Sequence, residues 1–157
     1  MEYTFPYFGH TIADALREIY QGEEPWVAIG CFLNDWWCPD GNGHESLISE
    51  PPPLATTPEG KQWAAFCAAT VEELCRRASL ASPAWTNERD YFLAEPWFHY
   101  PQSSQREWLL ATTPEPYKRR NIFVGGNVLD NKYELKEIFV ARPAWEIWSD
   151  EELEKYR

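Results

Sequence analysis

The stretch TPEGKQWAAFCAATVEELCRRASL, from Thr57 to Leu80, predicts the central helix of the fold. Thr57 can cap the free backbone N–H groups of a first turn, and Pro58 has the fixed φ that suits a first helical position. Apolar side chains then recur at steps of three and four residues, which places them on one stripe of an α-helix. We expect this stripe to be buried; it comprises Trp63, Phe66, Cys67, Thr70, Val71, Leu74 and Cys75.

The end of the same stretch carries charges that suit a helix C-terminus. Arg76 and Arg77 complement the negative end of the helix dipole. Each follows a glutamate, Glu72 or Glu73, by four residues, which is the spacing of ion pairs along one helix. We therefore predict the pairs Glu72–Arg76 and Glu73–Arg77.

Start signals outside the central stretch predict four further helices. Thr11 and Asp14 have the spacing of a capping box, Pro25 can open a helix, and Ser103 or Ser104 can cap one. The tail has a similar signal before its last charged residues. Together with the central stretch, these signals predict helices near 11–21, 26–37, 58–79, 104–112 and 149–156.

The remaining segments predict loops and a minor β element. Residues 38–56 contain four prolines and two glycines, which indicates a long loop. Residues 122–124 and 138–140 are short apolar runs that could form a small two-stranded pairing. We therefore predict a mainly α fold: one globular domain over 1–157, a helical bundle with long irregular aromatic-rich segments and a minor two-stranded β pairing.

Composition and charge restrict the partners of the chain. The 157 residues are 44% hydrophobic and 16% aromatic, enough for one well-packed core, and the net charge is −11. Between Met1 and Gly60 there are ten acidic residues and one basic residue, Arg17, so the excess of negative charge is concentrated in the N-terminal part. That part would repel a phosphate backbone and attract a basic protein, so we expect a basic protein partner and no direct binding of nucleic acid.

The sequence also predicts the compartment. The first residues, MEYTFPYFG, have neither the basic start nor the apolar run of a signal peptide, and no segment has the length and hydropathy of a membrane span. We therefore expect a cytoplasmic protein with no membrane association, whose four cysteines are reduced thiols.

Catalytic and metal-binding patterns are missing from the sequence. The three histidines, His10, His44 and His99, fall in no nucleophile motif, and the chain contains no GxSxG elbow. Cys31, Cys38 and His44 are separated by six and five residues, wider than the usual spacing of structural zinc ligands. We therefore predict no catalytic residue, no metal and no cofactor, and favour a protein that is not an enzyme.

Two groups of residues are candidate binding sites. Carboxylates and tryptophans of the acidic part predict a surface for a basic partner, formed by Glu23, Glu24, Asp35, Asp40, Trp36 and Trp37. A basic run followed by two glycines predicts an alternative anion site, formed by Lys118, Arg119, Arg120, Gly125 and Gly126. In the competing interpretation, the arginines pair internally with carboxylates of the acidic N-terminal half.

Two segments carry a family resemblance: PAWTNERDYFLAEPWF, which begins at Pro83, and REWLLATTPEPYKRRNIFVGG, which begins at Arg106. They resemble the C-terminal part of a family of uncharacterised bacterial proteins associated with antitoxin partners of nucleotidyltransferase-like toxins. The resemblance covers roughly residues 83–125. It implies an antitoxin-like function, although the N-terminal DNA-binding helix-turn-helix of those relatives would have to be an acidic hairpin here. The matching residues are Pro83, Trp85, Leu93, Pro96, Trp97, Phe98, Pro114, Arg119, Arg120 and Asn121.

Three functions remain as hypotheses. The first is a non-enzymatic acidic protein-binding module, antitoxin-like or immunity-like, that neutralises or scaffolds a basic protein. The second is a small anion- or nucleotide-binding protein or enzyme that uses the basic run and the glycine pair. The third is a structural subunit that associates with itself through exposed tryptophans.

Overall fold

A computed structural model describes residues 10–37, 43–100 and 102–130. Helices dominate this part of the chain, and one pair of two-residue strands accompanies them, which confirms the mainly α fold with a minor β pairing. The predicted helix 149–156 and the strand candidate 138–140 lie outside the described residues. The α-helices are α1 Ile12–Tyr20, α2 Pro25–Trp37, α3 Glu45–Ile48, α4 Pro58–Arg77, α5 Arg106–Thr112 and α6 Glu115–Lys118; the strands are β1 Trp97–Phe98 and β2 Ile122–Phe123.

Helix α4 is the centre of the core. It begins as predicted, with the Thr57 hydroxyl accepting a hydrogen bond from the Gly60 N–H at 3.0 Å and Pro58 in the first turn. Every residue of the predicted stripe is buried, but so is every residue from Trp63 to Val71, because four alanines on the other faces are covered as well. A helix buried on all sides needs neighbours all around it. Contacts with α4 come from α1, α6 and two 3₁₀ turns, Ala84–Asn87 and Arg89–Tyr91.

Helices α1 and α2 form the predicted hairpin. Thr11 and Asp14 make the capping box, in which the Asp14 N–H donates to the Thr11 hydroxyl at 3.0 Å. A left-handed glycine, Gly22 with φ +101°, ends the turn that follows α1, a conformation that favours glycine. Helix α2 then opens at Pro25, as predicted, and packs against α1.

The proline-rich segment before α4 is fixed by three aromatic side chains. The predicted loop 38–56 contains the short helix α3, and the chain between α3 and α4 is irregular. Trp85 donates from its indole N–H to the Ile48 carbonyl at 2.8 Å. The hydroxyls of Tyr91 and Tyr20 donate to the carbonyls of Pro52 and Pro53, at 2.7 and 2.9 Å. Since proline has no N–H, these carbonyl contacts are the main polar links that this segment can make.

The tyrosine donors keep their protons throughout the physiological pH range. Burial raises the pKa of Tyr91 to about 12, with the charges of Glu88 and Asp90 acting in the same direction. Burial also raises the pKa of Tyr20. Both phenols are therefore neutral at neutral pH and can donate to the proline carbonyls.

The second half differs from the predictions in two details. Ser103 and Ser104 lie in a 3₁₀ turn, and α5 starts at Arg106 without a side-chain cap, because the tighter turn already precedes the helix. Strand β2 pairs in parallel with β1, with Trp97 opposite Ile122, whereas the sequence predicted a pairing of residues 122–124 with residues 138–140. The short helix α6 follows Pro114 directly.

The ion pairs of α4 also differ from the prediction. Glu73 is buried and pairs with both Arg76 and Arg77; the Arg77 Nε donates to its carboxylate at 3.0 Å. Burial alone would raise the pKa of Glu73, but the hydrogen bonds from the two arginines lower it overall. The predicted pair Glu72–Arg76 is wrong, because Glu72 turns towards the chain beyond α6 instead.

Glu72 accepts the guanidinium of Arg120, which is fully buried. The same guanidinium donates to the carbonyl oxygens of Pro116, at 2.9 Å, and Thr86, at 2.6 Å. Its carbon lies 4.6 Å from the centre of the Phe92 ring. Arg120 thus joins α4, α6 and the first 3₁₀ turn through one side chain.

We predict that Arg120→Met destabilises the protein by about 2–4 kcal/mol, because two buried carbonyls lose their donor and the partly buried carboxylate of Glu72 keeps only Arg119 as a partner. Urea denaturation measures the free energy of unfolding. Arg119→Met is the matched control: Arg119 also pairs with Glu72, at 3.0 Å, but is partly exposed, so its loss should cost about 1 kcal/mol or less. Equal losses for the two variants would contradict this assignment.

Candidate functional site

A groove of about 670 Å³ opens between the end of α1 and the start of α4. The turn from α1 to α2 forms one wall. The segment just after Pro52 and Pro53, whose carbonyls accept the tyrosine hydrogen bonds, forms the other. The lining residues are Ile19, Tyr20, Gly22, Glu23, Glu24, Pro25, Leu54, Thr56, Thr57, Glu59, Gly60 and Trp63. Tyr20 holds this second wall in place through its hydrogen bond to Pro53.

The groove has an acidic rim. Glu23, Glu24 and Glu59 line it, and no basic side chain is among the lining residues that the structure describes. Glu24 also accepts the Val27 N–H at 3.1 Å, which fixes its carboxylate at the start of α2. Arg17, the only base in the first sixty residues, pairs with Asp14 and Glu50 and does not line the groove.

The floor of the groove is aromatic. Trp63 is buried and meets the Trp26 ring edge-to-face, with the ring centres 5.6 Å apart. Trp26 also contacts Phe66 and His99 edge-to-face, and 39% of its surface remains exposed. Edge-to-face packing fixes these rings against one another, so the floor continues from the groove to the surface as a rigid aromatic cluster.

His99 lies inside this cluster. Its ring centre is 5.2 Å from that of Trp26, 6.1 Å from that of Trp97 and 4.9 Å from that of Tyr100. Burial among the rings lowers the pKa of His99 below its ordinary value. The imidazole is therefore neutral at neutral pH and acts there as a packing ring.

The structure divides the predicted partner surface. Glu23 and Glu24 are at the groove, whereas Trp36 is buried and stacks on His44 with ring centres 3.8 Å apart. The expectation that the Trp36 ring meets a partner is wrong, because the core already covers it. Asp35 accepts a hydrogen bond from the His10 N–H, and Trp37 is half-buried against the core.

Helix geometry separates the two groups. Trp36 lies twelve residues after Glu24, which corresponds to about 18 Å along a helix. Asp35, Trp36 and Trp37 therefore belong to the far end of α2. Asp40 lies outside the described residues.

The predicted anion site is engaged in internal contacts. Arg120 is buried on Glu72, and Arg119 donates to Glu72 at 3.0 Å and to Asn87 at 2.6 Å. These contacts favour the interpretation that the arginines are internal partners of carboxylates. The carboxylate is that of Glu72 in α4, which lies after Gly60 but within the N-terminal half of the chain.

The glycine pair is engaged as well. Thr113, which follows α5, accepts from the N–H groups of Val124 and Gly125 at 3.2 and 2.9 Å. Gly126 donates to the Thr112 hydroxyl at 3.1 Å. The threonine hydroxyls thus occupy the position where an anion would meet these N–H groups. Lys118, the last residue of the predicted anion site, ends α6.

Other kinds of site are not apparent in the part of the chain that the structure describes. No three His, Cys, Asp or Glu side chains come together there as a metal ion would need. Cys31 is exposed, and Cys67 and Cys75 are buried free thiols, in agreement with their assignment to the core. None of the described helices combines the length and the hydropathy needed to cross a bilayer.

Comparisons with protein-family models, curated proteins and solved structures find no match to this chain. The geometry of the groove is therefore the basis for a functional assignment.

Sequence reasoning assigned only Glu23 and Glu24 of the twelve lining residues to a site, and the other ten, Tyr20, Glu59 and Trp63 among them, were missed. It placed Trp63 on the buried stripe of α4, and that role is compatible with the structure. The missing information was which helix ends meet. The signal that could have found the site is that two helix starts both combine proline with glutamate, at Glu24-Pro25 and Pro58-Glu59.

We predict that Thr113→Val lowers the free energy of unfolding by about 1–3 kcal/mol, because two buried N–H groups lose their acceptor. Chemical denaturation measures the change. Thr113→Ser is the control, since it keeps the hydroxyl and should retain most of the stability. A valine variant as stable as the wild type would show that these N–H groups find another acceptor.

We also predict a pH dependence that comes from His99. Because its pKa is lowered in the folded protein, the unfolded chain binds the proton more readily, and this site's contribution to stability falls as pH drops below about 6.5. In His99→Gln, the decrease in unfolding free energy between about pH 6.5 and pH 5 should be smaller than in the wild type. His10 and His44 remain in both proteins, so identical pH profiles would exclude His99 as a source.

Proposed function

We propose that this protein is a non-enzymatic acidic binding module whose groove receives a cationic side chain of a basic protein partner. One observation carries the proposal: three glutamates and an aromatic floor line the same groove, and the described lining contains no base. An antitoxin-like or immunity-like role, in which the module neutralises or scaffolds its partner, is consistent with this chemistry.

The physical basis is twofold. A lysine or arginine head group in the groove would lie near three carboxylates, and charge attraction in a recess is screened less than on an open surface. Tyr20 lines the groove and is partly exposed, and the face of an aromatic ring attracts cations, which adds to binding when the head group is partly desolvated. The acidic excess of the N-terminal part would further speed encounter with a basic protein.

The region of family resemblance does not form the groove but holds the segments around it. None of the described residues between Pro83 and Gly125 lines the groove. Trp85 and Tyr91 instead hold the proline segment, and Arg120 ties α6 to α4. In the antitoxin-like interpretation, this region would therefore be a scaffold. The surface that meets the partner would be formed by α1, α2 and the start of α4.

A second candidate function, self-association, has its own supporting observation. Tyr100 and Trp108 are 40% and 44% exposed and line a shallow pocket of about 470 Å³ with Ser104 and Gln105. Exposed aromatic rings of this kind are common at protein interfaces. If this face joins two copies, the mass measured by light scattering will rise with concentration, and Trp108→Ala will remove the rise; a constant monomer mass excludes it.

The main prediction concerns charge. Replacing Glu23, Glu24 and Glu59 together by Gln should weaken binding of a lysine-rich probe peptide at least about tenfold at physiological ionic strength, through the loss of three charges at the site. Gln keeps the shape and the acceptor oxygen that Glu24 offers to α2. Isothermal titration calorimetry measures the affinity.

The control triple variant replaces Glu88, Glu95 and Glu107 by Gln. It removes the same net charge from exposed positions that do not line the groove, and Glu107, like Glu59, lies in the first turn of a helix. It should bind the probe almost as the wild type does. Equal weakening in both triple variants would mean that net charge alone attracts the peptide and would refute the groove as the site.

A further inference from the structure

The acidic groove is continuous with an exposed apolar surface on the first turn of α2. Trp26 and Val27 follow Pro25 of the groove wall directly, and they are 39% and 53% exposed. Leu54 on the opposite wall is 60% exposed. Apolar side chains thus lie on both sides of the carboxylates.

Trp26 has the properties of an interface anchor. Its ring is held by edge-to-face contacts with Trp63, Phe66 and His99, so a partner would not have to immobilise it. Rigid, partly exposed tryptophans next to a pocket commonly contribute much of the binding energy of an interface, because little side-chain entropy is lost. The ring therefore offers a preformed apolar contact beside the groove.

We propose that the partner segment carries a cationic side chain together with an apolar side chain about two residues away. The inference rests on the proposed function and specifies the chemistry of its ligand. The cationic group enters the groove between Glu23, Glu24 and Glu59, and the apolar group packs on Trp26 and Val27.

The spacing is derived from the geometry. The ring of Trp63, in the groove floor, and the ring of Trp26 have centres 5.6 Å apart. In an extended chain, side chains two residues apart point to the same side and are separated by about 7 Å. A segment of the pattern cation–any residue–apolar therefore matches both contacts at once, whereas a purely basic segment uses only the first.

The test compares two synthetic peptides of equal charge. One is Lys-Ser-Leu-Ser-Lys-Ser-Leu-Ser-Lys, and the other has Ser in place of each Leu. We expect the leucine peptide to bind the full chain about tenfold more tightly at physiological ionic strength, which is the gain typical of burying one large aliphatic side chain. Calorimetry at several salt concentrations separates this gain from the electrostatic part.

Variants of the protein locate the contact. Trp26→Ala should remove the advantage of the leucine peptide over the serine peptide, while Leu110→Ala, at an exposed apolar side chain that lines neither pocket, should leave this advantage unchanged. Since Trp26 also packs on the core, Val27→Ser provides a second test at a side chain that is mostly exposed, and should reduce the advantage severalfold with the fold intact by circular dichroism.

The outcomes are distinguishable. If both peptides bind equally and both depend on the three glutamates, the apolar subsite is refuted and the proposed function stands. A leucine advantage that survives Trp26→Ala and Val27→Ser also refutes the subsite. If neither peptide binds, or if both bind independently of the three glutamates, the proposed function fails along with the inference.

Discussion

Burial of α4 on every side is the constraint on which the rest of the structure depends. Every residue of this helix from Trp63 to Val71 is buried, so each face must be covered by a different part of the chain. Alanines on the faces away from the predicted stripe allow close approach of neighbouring elements. Helix α1 covers one part, and α6 with the two 3₁₀ turns covers another. The irregular, aromatic-rich second half is thus a packing layer for a central helix.

The same constraint determines how the charges are distributed. Arginines pair with carboxylates near the C-terminal end of α4: Arg119 and Arg120 of the second half with Glu72, and Arg76 and Arg77 of the helix itself with Glu73. Carboxylates near the start of α4 have no such partners in the described lining of the groove. The fold thereby uses basic side chains internally at one end of α4 and leaves an acidic surface at the other. This asymmetry is the basis on which we propose a cationic ligand.

Local signals in the sequence predicted the helices well because their physics is local. The Thr11–Asp14 capping box, the Thr57 cap and the prolines at helix starts act within a few residues, and the structure confirms each of them. Long-range choices were less accessible. Spacing alone pairs Glu72 with Arg76, but the fold brings Arg119 and Arg120 to Glu72 from 47 and 48 residues away. Part of the candidate site was predictable as charge, through Glu23 and Glu24. Its aromatic floor was not, because only the packing of α1 against α4 brings Tyr20 and Trp63 together.

The hydrogen bonds that hold the proline-rich segment before α4 have a consequence for folding during synthesis. One wall of the groove is attached through carbonyls that are held by Trp85 and Tyr91, which come more than thirty residues later in the chain. During synthesis, α1 and α2 leave the ribosome first. The groove cannot take its final form until Trp85 and Tyr91 have left the exit tunnel and packed. The groove is therefore completed only when the core is completed.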